Sequence, residues 1–180
     1  MAWTEQTGAP TSGNWYSVAS DTSGNKLVAC VQGGSIYTNA SAGYGDWTQQ
    51  TTGLPPATAN WESVASDQFG NKLVACVNGG SIYTNASAGY GAWTQQTTGL
   101  PPTANWNSVA SDTSGDKLVA CANPGSIYTN ASAGFGAWTQ QTGAPTTAKW
   151  YSVASDTSGD KLVACDYQDG TSGGYIYTNA

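Results

Sequence analysis

Short apolar runs alternate with polar, glycine-rich stretches along the whole chain, and the order of the runs recurs. Asn14-Trp15-Tyr16-Ser17-Val18-Ala19-Ser20 is the first kind of run and Lys26-Leu27-Val28-Ala29-Cys30 the second. Ile36-Tyr37-Thr38-Asn39-Ala40 is the third and Trp47-Thr48-Gln49-Gln50-Thr51 the fourth. Each is short and rich in β-branched and aromatic residues, which predicts a strand. No long segment repeats its apolar positions with a helical period. The stretches between carry turn chemistry: Asp21-Thr22-Ser23-Gly24-Asn25, Gly33-Gly34, Ser41-Ala42-Gly43-Tyr44-Gly45 and Gly53-Leu54-Pro55-Pro56. The prolines block further ladder pairing after the fourth strand.

The runs return as internal repeats. The first-strand tryptophan recurs as Trp15, Trp61, Trp106 and Trp150. Lys-Leu-Val-Ala-Cys starts at Lys26, Lys72, Lys117 and Lys161, and Ile-Tyr-Thr-Asn-Ala at Ile36, Ile82, Ile127 and Ile176. The fourth-strand tryptophan recurs as Trp47, Trp93 and Trp138, with a variant at Trp3. The repeats run over about 8–53, 54–99, 100–143 and 144–180, the last completed by 1–7, within one domain of 180 residues.

Four antiparallel strands in about 45 residues match one blade of a β-propeller. The expected fold is therefore all-β, a propeller with four blades per chain. The chain starts on a fourth strand (Trp3 to Thr7) and ends after a third (Tyr175 to Ala180). That offset predicts that the N-terminal strand completes the last blade and closes the ring, leaving no open edge. An open solenoid would want atypical capping repeats instead. A closed monomer is the first expectation. Two chains that exchange terminal strands into an eight-bladed ring are the alternative. The small residues of Ser-Val-Ala-Ser are expected nearest the axis. Near-identity of the repeats suits a natural or an engineered repeat protein.

The stretch Ile36-Tyr37-Thr38-Asn39-Ala40-Ser41-Ala42-Gly43-Tyr44-Gly45-Asp46-Trp47 resembles the Asp-box, or sialidase-like, propeller repeats. Ile-Tyr-Thr, the glycine and the tryptophan match. Ser41, Ser87 and Ser132 stand where the box aspartate would fall, and the loop is one residue longer. The resemblance implies a sialidase-like strand order. It does not carry over sialidase catalysis, which needs an arginine triad and a Tyr-Glu pair.

Composition narrows the function classes. The five basic residues are all lysines, there is no histidine, and the net charge is −6. A nucleic-acid binder needs a basic footprint, and none exists. The same deficit disfavours an anionic membrane surface. Catalysis loses its commonest general base, and metal binding its commonest nitrogen ligand. No enzyme activity, cofactor or metal is expected. No secretory signal or membrane-spanning run is legible, and secretion is the weakly favoured destination.

Three sets of residues are candidates for chemistry, each with a structural counterpart. Tyr44, Tyr90 and Phe135 lie in glycine-flanked loops and are the expected ligand contacts, stacking on a glycan or meeting another protein. Asp21, Asp67, Asp112 and Asp156 end the first strands and are expected to gather at one mouth of the channel. They would hold a hard cation there, or cap their own turns. The lysines that follow are expected to face these aspartates across the hairpin. Cys30, Cys76, Cys121 and Cys165 repeat at one position and read as small buried hydrophobes. The tryptophans read as inter-blade core, or as sugar-stacking surfaces. Asn39, Asn85 and Asn130 begin glycosylation sequons that coincide with a turn motif. The loop from Asp166 to Gly174 is the main break in symmetry.

Overall fold

The computed structural model describes residues 2–167 and 173–179. All regular structure among them is β. The first blade comprises β1 (Asn14–Ser20), β2 (Leu27–Gly34), β3 (Ile36–Asn39) and β4 (Thr48–Gln50). The second comprises β5 (Ala59–Ser66), β6 (Leu73–Gly80), β7 (Ile82–Asn85) and β8 (Thr94–Gln96). The third comprises β9 (Ala104–Ser111), β10 (Leu118–Ala122), β11 (Ile127–Asn130) and β12 (Thr139–Gln140). The last holds β13 (Trp150–Ser155), β14 (Leu162–Asp166) and β15 (Ile176–Thr178). Within each blade the strands pair antiparallel in chain order, with the same register from blade to blade. β2 also pairs briefly with β5, and β6 with β9, through the ends of the long second strands.

The core lies between blades rather than inside them. Val28, Cys30 and Ile36 of the first blade pack against Trp61, Val64 and Leu73 of the second. Val74, Cys76 and Ile82 meet Trp106, Val109 and Leu118 in the same way. Val119, Cys121 and Ile127 meet Trp150 and Val153. Inside each blade the first-strand tryptophan sets its ring edge-on to the third-strand tyrosine, as in Trp61–Tyr83 at 5.5 Å and Trp106–Tyr128 at 5.4 Å. Such pairs add about 0.5–1.5 kcal/mol beyond the area they bury. Trp61, Trp93, Trp106, Trp138 and Trp150 thus belong to the cores that hold successive blades together, whereas Trp3 and Trp15 are exposed.

The inner strands pack in order, β1 on β5, β5 on β9 and β9 on β13, with no comparable contact from β13 back to β1. A line of backbone hydrogen bonds runs Thr22 N to Gln68 O, Gln68 N to Thr113 O and Thr113 N to Thr157 O, and stops there among the described residues. The closed single-chain ring expected from the sequence is not formed. β15 pairs with β14, and residues 2–6 join no strand. The four blades turn too little for the last to meet the first, so β13 makes no comparable contact with β1 and the N-terminal segment rests on the first blade alone. Trp47 N donates to Gly8 O at 3.0 Å, and Gln6 lies against Gly43. Those contacts hold the segment at the opposite end of the arc from β15.

Candidate functional site

The loop between the third and fourth strands of each blade is built on one asparagine. Asn39 Oδ1 accepts hydrogen bonds from the amides of Ser41 and Gly43, both at 2.8 Å. Its Nδ2 donates to the carbonyls of Tyr44 and Asp46. Asn85 and Asn130 repeat the same fork. Ala42, Ala88 and Ala133 sit at φ 54° in these loops, a left-handed conformation that costs an alanine about 1–2 kcal/mol. The fork and a bond from Ala88 N to Asn71 O at 2.8 Å hold the backbone there. These asparagines are buried and committed on both polar atoms, so the three sequons are loop staples and do not present an accessible acceptor amide.

Past each staple the chain lifts an aromatic ring into solvent. Tyr44, Tyr90 and Phe135 are 80%, 69% and 70% exposed. Their equivalent positions put them on separate blades, so they do not converge on one site. Tyr90 borders a pocket between the first and second blades with Lys26, Thr38, Asn39, Ser41 and Asp46. Phe135 borders a differently lined pocket between the second and third, with Thr84, Gln95, Gln96 and Thr98. Each has a volume of about 200 Å³ or 230 Å³. Drug-sized sites run to roughly 300–1,000 Å³, so these suit a single side chain or sugar ring. A third inter-blade pocket, at Lys117, Asn130, Asp160 and Asn179, has no aromatic at its rim.

Asp21, Asp67, Asp112 and Asp156 line one cavity together. Their carboxylates are turned to their own hairpins. Asp67 Oδ1 accepts from the amides of Asn71 and Lys72 at 2.7 and 3.0 Å, and Asp112 repeats the pattern at Asp116 and Lys117. The Ser23 hydroxyl and then the hairpin amides hold the Asp21 carboxyl below its usual range. The Lys161 amide does the same for Asp156, followed by the Ser158 hydroxyl. Among the described residues no group of three or more acidic or thiol side chains could hold a metal ion.

Lys26, Lys72 and Lys117 direct their ammonium groups away from the aspartates of their own hairpins, although Lys117 still feels the charge of Asp112. Lys72 Nζ reaches Asp116 Oδ1 at 2.5 Å, Lys117 reaches Asp160, and Lys26 bonds Asn71 Oδ1. Each stem crosses instead to the turn of the next blade. Gly70 makes this possible: it adopts φ +65°, and a Cβ there would lie 2.6 Å from Lys26 Cβ.

The cysteines are free, and Cys30, Cys76 and Cys121 are wholly buried. Burial pushes the thiols of Cys30 and Cys121 up to about 12, and Cys76 is raised as well. Groups held so firmly as thiols are poor nucleophiles and metal ligands.

Sequence reasoning passed over one set of residues. In every blade the first strand carries a bulge, and the extra residue is Tyr16, Glu62, Asn107 or Tyr151. Bulges re-aim side chains and often sit beside functional sites. The signal was available, because this is the position after the tryptophan, where otherwise near-identical strands differ. Glu62 accepts a hydrogen bond from Gln32 Nε2 at 3.1 Å, and its carboxyl is raised by burial despite that bond. Tyr151 stacks edge-on to Tyr167 at 5.9 Å. Within the unique loop from Asp166 to Gly174, residues 168–172 lie outside the described part of the chain. Gly174 and Tyr175 follow them, with Tyr175 N donating to Asp166 Oδ1 at 2.5 Å.

With strand order and inter-blade cores in view, the chain is an all-β protein of the β-propeller class. No family model matches it, and no curated protein does. Solved structures do. A chain of YCF48 bound to D1 peptide is similar at TM-score 0.66 and 16% identity, over 94% of this chain and 56% of that one. The computationally designed Ika4 protein is similar at TM-score 0.65 and 12% identity, over 93% of this chain and 92% of that one. The GH74 xyloglucanase from Xanthomonas campestris is similar at TM-score 0.63 and 15% identity, over 90% of this chain and 28% of that one. Identities this low establish the fold alone. The chain spans little more than half of the YCF48 chain it matches. Its neighbours include both enzyme and non-enzyme propellers.

Proposed function

We propose that this chain is a non-catalytic repeat-propeller scaffold that binds its ligand in the pockets between blades. The carrying observation is that Tyr90 and Phe135, both exposed on stapled loops, each border an inter-blade pocket with polar side chains in its lining. A rigid aromatic face beside hydrogen-bonding groups is the usual make-up of a recognition site. Against an enzyme stands the repetition of the chemistry. Catalysis needs differently tuned acid and base in one place. Here Asp, Lys and Cys recur with the repeat, and histidine and arginine are missing. YCF48 carries a bound peptide in the structure this chain resembles, and a peptide or protein partner is one ligand class for this chain.

A second reading is a multivalent carbohydrate-binding protein. It rests on the polar lining around Tyr90, where Thr38, Ser41 and Asp46 could bond a sugar stacked on the ring. Repeated weak sites would gain by avidity. The test for both is a screen of labelled protein on glycan and peptide arrays, followed by Tyr90→Ala with Phe135→Ala. A hit weakened at least about tenfold, or about 1.4 kcal/mol, supports the inter-blade site. A hit unchanged by the double variant overturns it. Hits confined to peptides sink the carbohydrate reading.

A further inference from the structure

The two ends of the arc expose the faces that every internal blade interface buries. Val18 is 73% exposed, whereas its equivalents Val64, Val109 and Val153 are 5%, 5% and 6% exposed. Ile176 is 77% exposed, whereas Ile36 and Ile82 are fully covered. Val163 stands 40% exposed where Val28, Val74 and Val119 are at 1%. Trp3 is fully exposed, while Trp93 and Trp138 are buried. One end lacks a preceding blade and the other lacks a following one. The two faces are the two halves of an interface that the chain already makes three times.

The N-terminal segment marks what is missing. Gly8 O accepts the amide of Trp47 as Thr52 O accepts that of Trp93 and Thr98 O that of Trp138. Gln6 lies against Gly43 as Gln50 lies against Gly89 and Gln96 against Gly134. In the latter two cases the third strand of the preceding blade, at Thr38 or Thr84, touches the same glycine. The segment from Trp3 to Gly8 therefore occupies the fourth-strand position of a blade whose other strands are not beside it. The last blade, β13–β15, lacks just that strand.

We infer that two copies of this chain close on each other as one ring, each giving its N-terminal strand to the other's last blade. A second copy is the occupant because it carries both complementary faces in the repeating register. Ile36 pairs with Gln50 and Thr38 with Thr48 inside a blade. The same register sets Gln6 opposite Ile176 of the partner subunit and Thr4 opposite Thr178 of the partner subunit. Val64 N donates to Ser17 Oγ between blades. Across the new interface Val18 N would donate to Ser152 Oγ of the partner subunit. Two is the smallest number of copies that can close a ring when one arc does not.

Light scattering on the purified 180-residue protein reads this directly. The expected mass is twice the 18.4 kDa chain, independent of concentration over the micromolar range. Val18→Asp should bring the mass to that of one chain while the β circular dichroism persists. Phe69→Ser, at an exposed hairpin position, should leave it doubled. A Thr4→Cys and Thr178→Cys double variant should give a disulfide-linked dimer under oxidation, since directly opposed strand residues lie within bridging reach. A single-chain mass for the unaltered protein, a trimer or larger species, or a disulfide that forms only within one chain would each overturn the inference.

Discussion

The hydroxyl oxygen of Ser63 accepts the backbone amide of Val109 at 3.2 Å, joining the inner strands of successive blades. Ser17 with Val64 and Ser108 with Val153 repeat the bond. It lets the axis end of each blade satisfy an amide that no ladder partner reaches. Ser63→Ala should cost about 1–3 kcal/mol, the usual range when a buried donor loses its acceptor. Ser152→Ala, at an exposed last-blade position, should cost less in any state where the arc is open. Urea unfolding of both variants measures the difference.

Asn85 holds the loop that presents Tyr90, with four hydrogen bonds from one side chain. Asn85→Ala leaves two amides without acceptors, and Ala88 at positive φ is held only by its bond to Asn71 O. The expected loss is about 2–3 kcal/mol, read by thermal denaturation. Any ligand bound beside Tyr90 should weaken in parallel, because the ring loses its fixed position.

Acid should loosen the hairpins at the axis. Asp21 and Asp156 are held below 3.8 by hydroxyl and amide donors, and Asp116 and Asp160 by Lys72 and Lys117. A depressed folded pKa stabilises above the unfolded value and is lost as pH falls through the folded one. The melting temperature should therefore fall once the pH drops below 3.8. Glu62 has the opposite sign: burial raises it, so its contribution is full below 4.5 and is lost as pH rises through its folded value. Glu62→Gln should melt higher than the unaltered protein at neutral pH, with the gain vanishing in acid. Calorimetry at a series of pH values checks both.

Thiol alkylation should distinguish the cysteines. Cys30, Cys76 and Cys121 are buried and held as thiols, and should stay unmodified in the native state. Cys165 is only half-buried in the single chain. A ring of two copies would cover it as the next blade covers Cys121. Val18→Asp should then raise its labelling rate at least about tenfold, which equals about 1.4 kcal/mol of lost protection. Mass spectrometry after timed iodoacetamide exposure gives the rate.

By itself the sequence determined the blade. Trp15, Cys30, Ile36 and Trp47 recur at fixed offsets, and strand propensity with turn chemistry between them leaves one antiparallel order. It also identified the loop aromatics as exposed and the first-strand aspartates as neighbours, because equivalent positions in a propeller must share a rim. Tertiary structure decided the rest. The side chain of Lys72 could face Asp67 or the next blade, and only the blade-to-blade spacing sends it to Asp116. The residue after each tryptophan looked like strand, and only the paired register makes it a bulge. The N-terminal strand is chemically fit for any last blade, its own or another copy's. Which one it meets depends on how far each blade turns from the one before. That angle is set by tryptophans and valines packed between blades, and no local pattern in the chain encodes it.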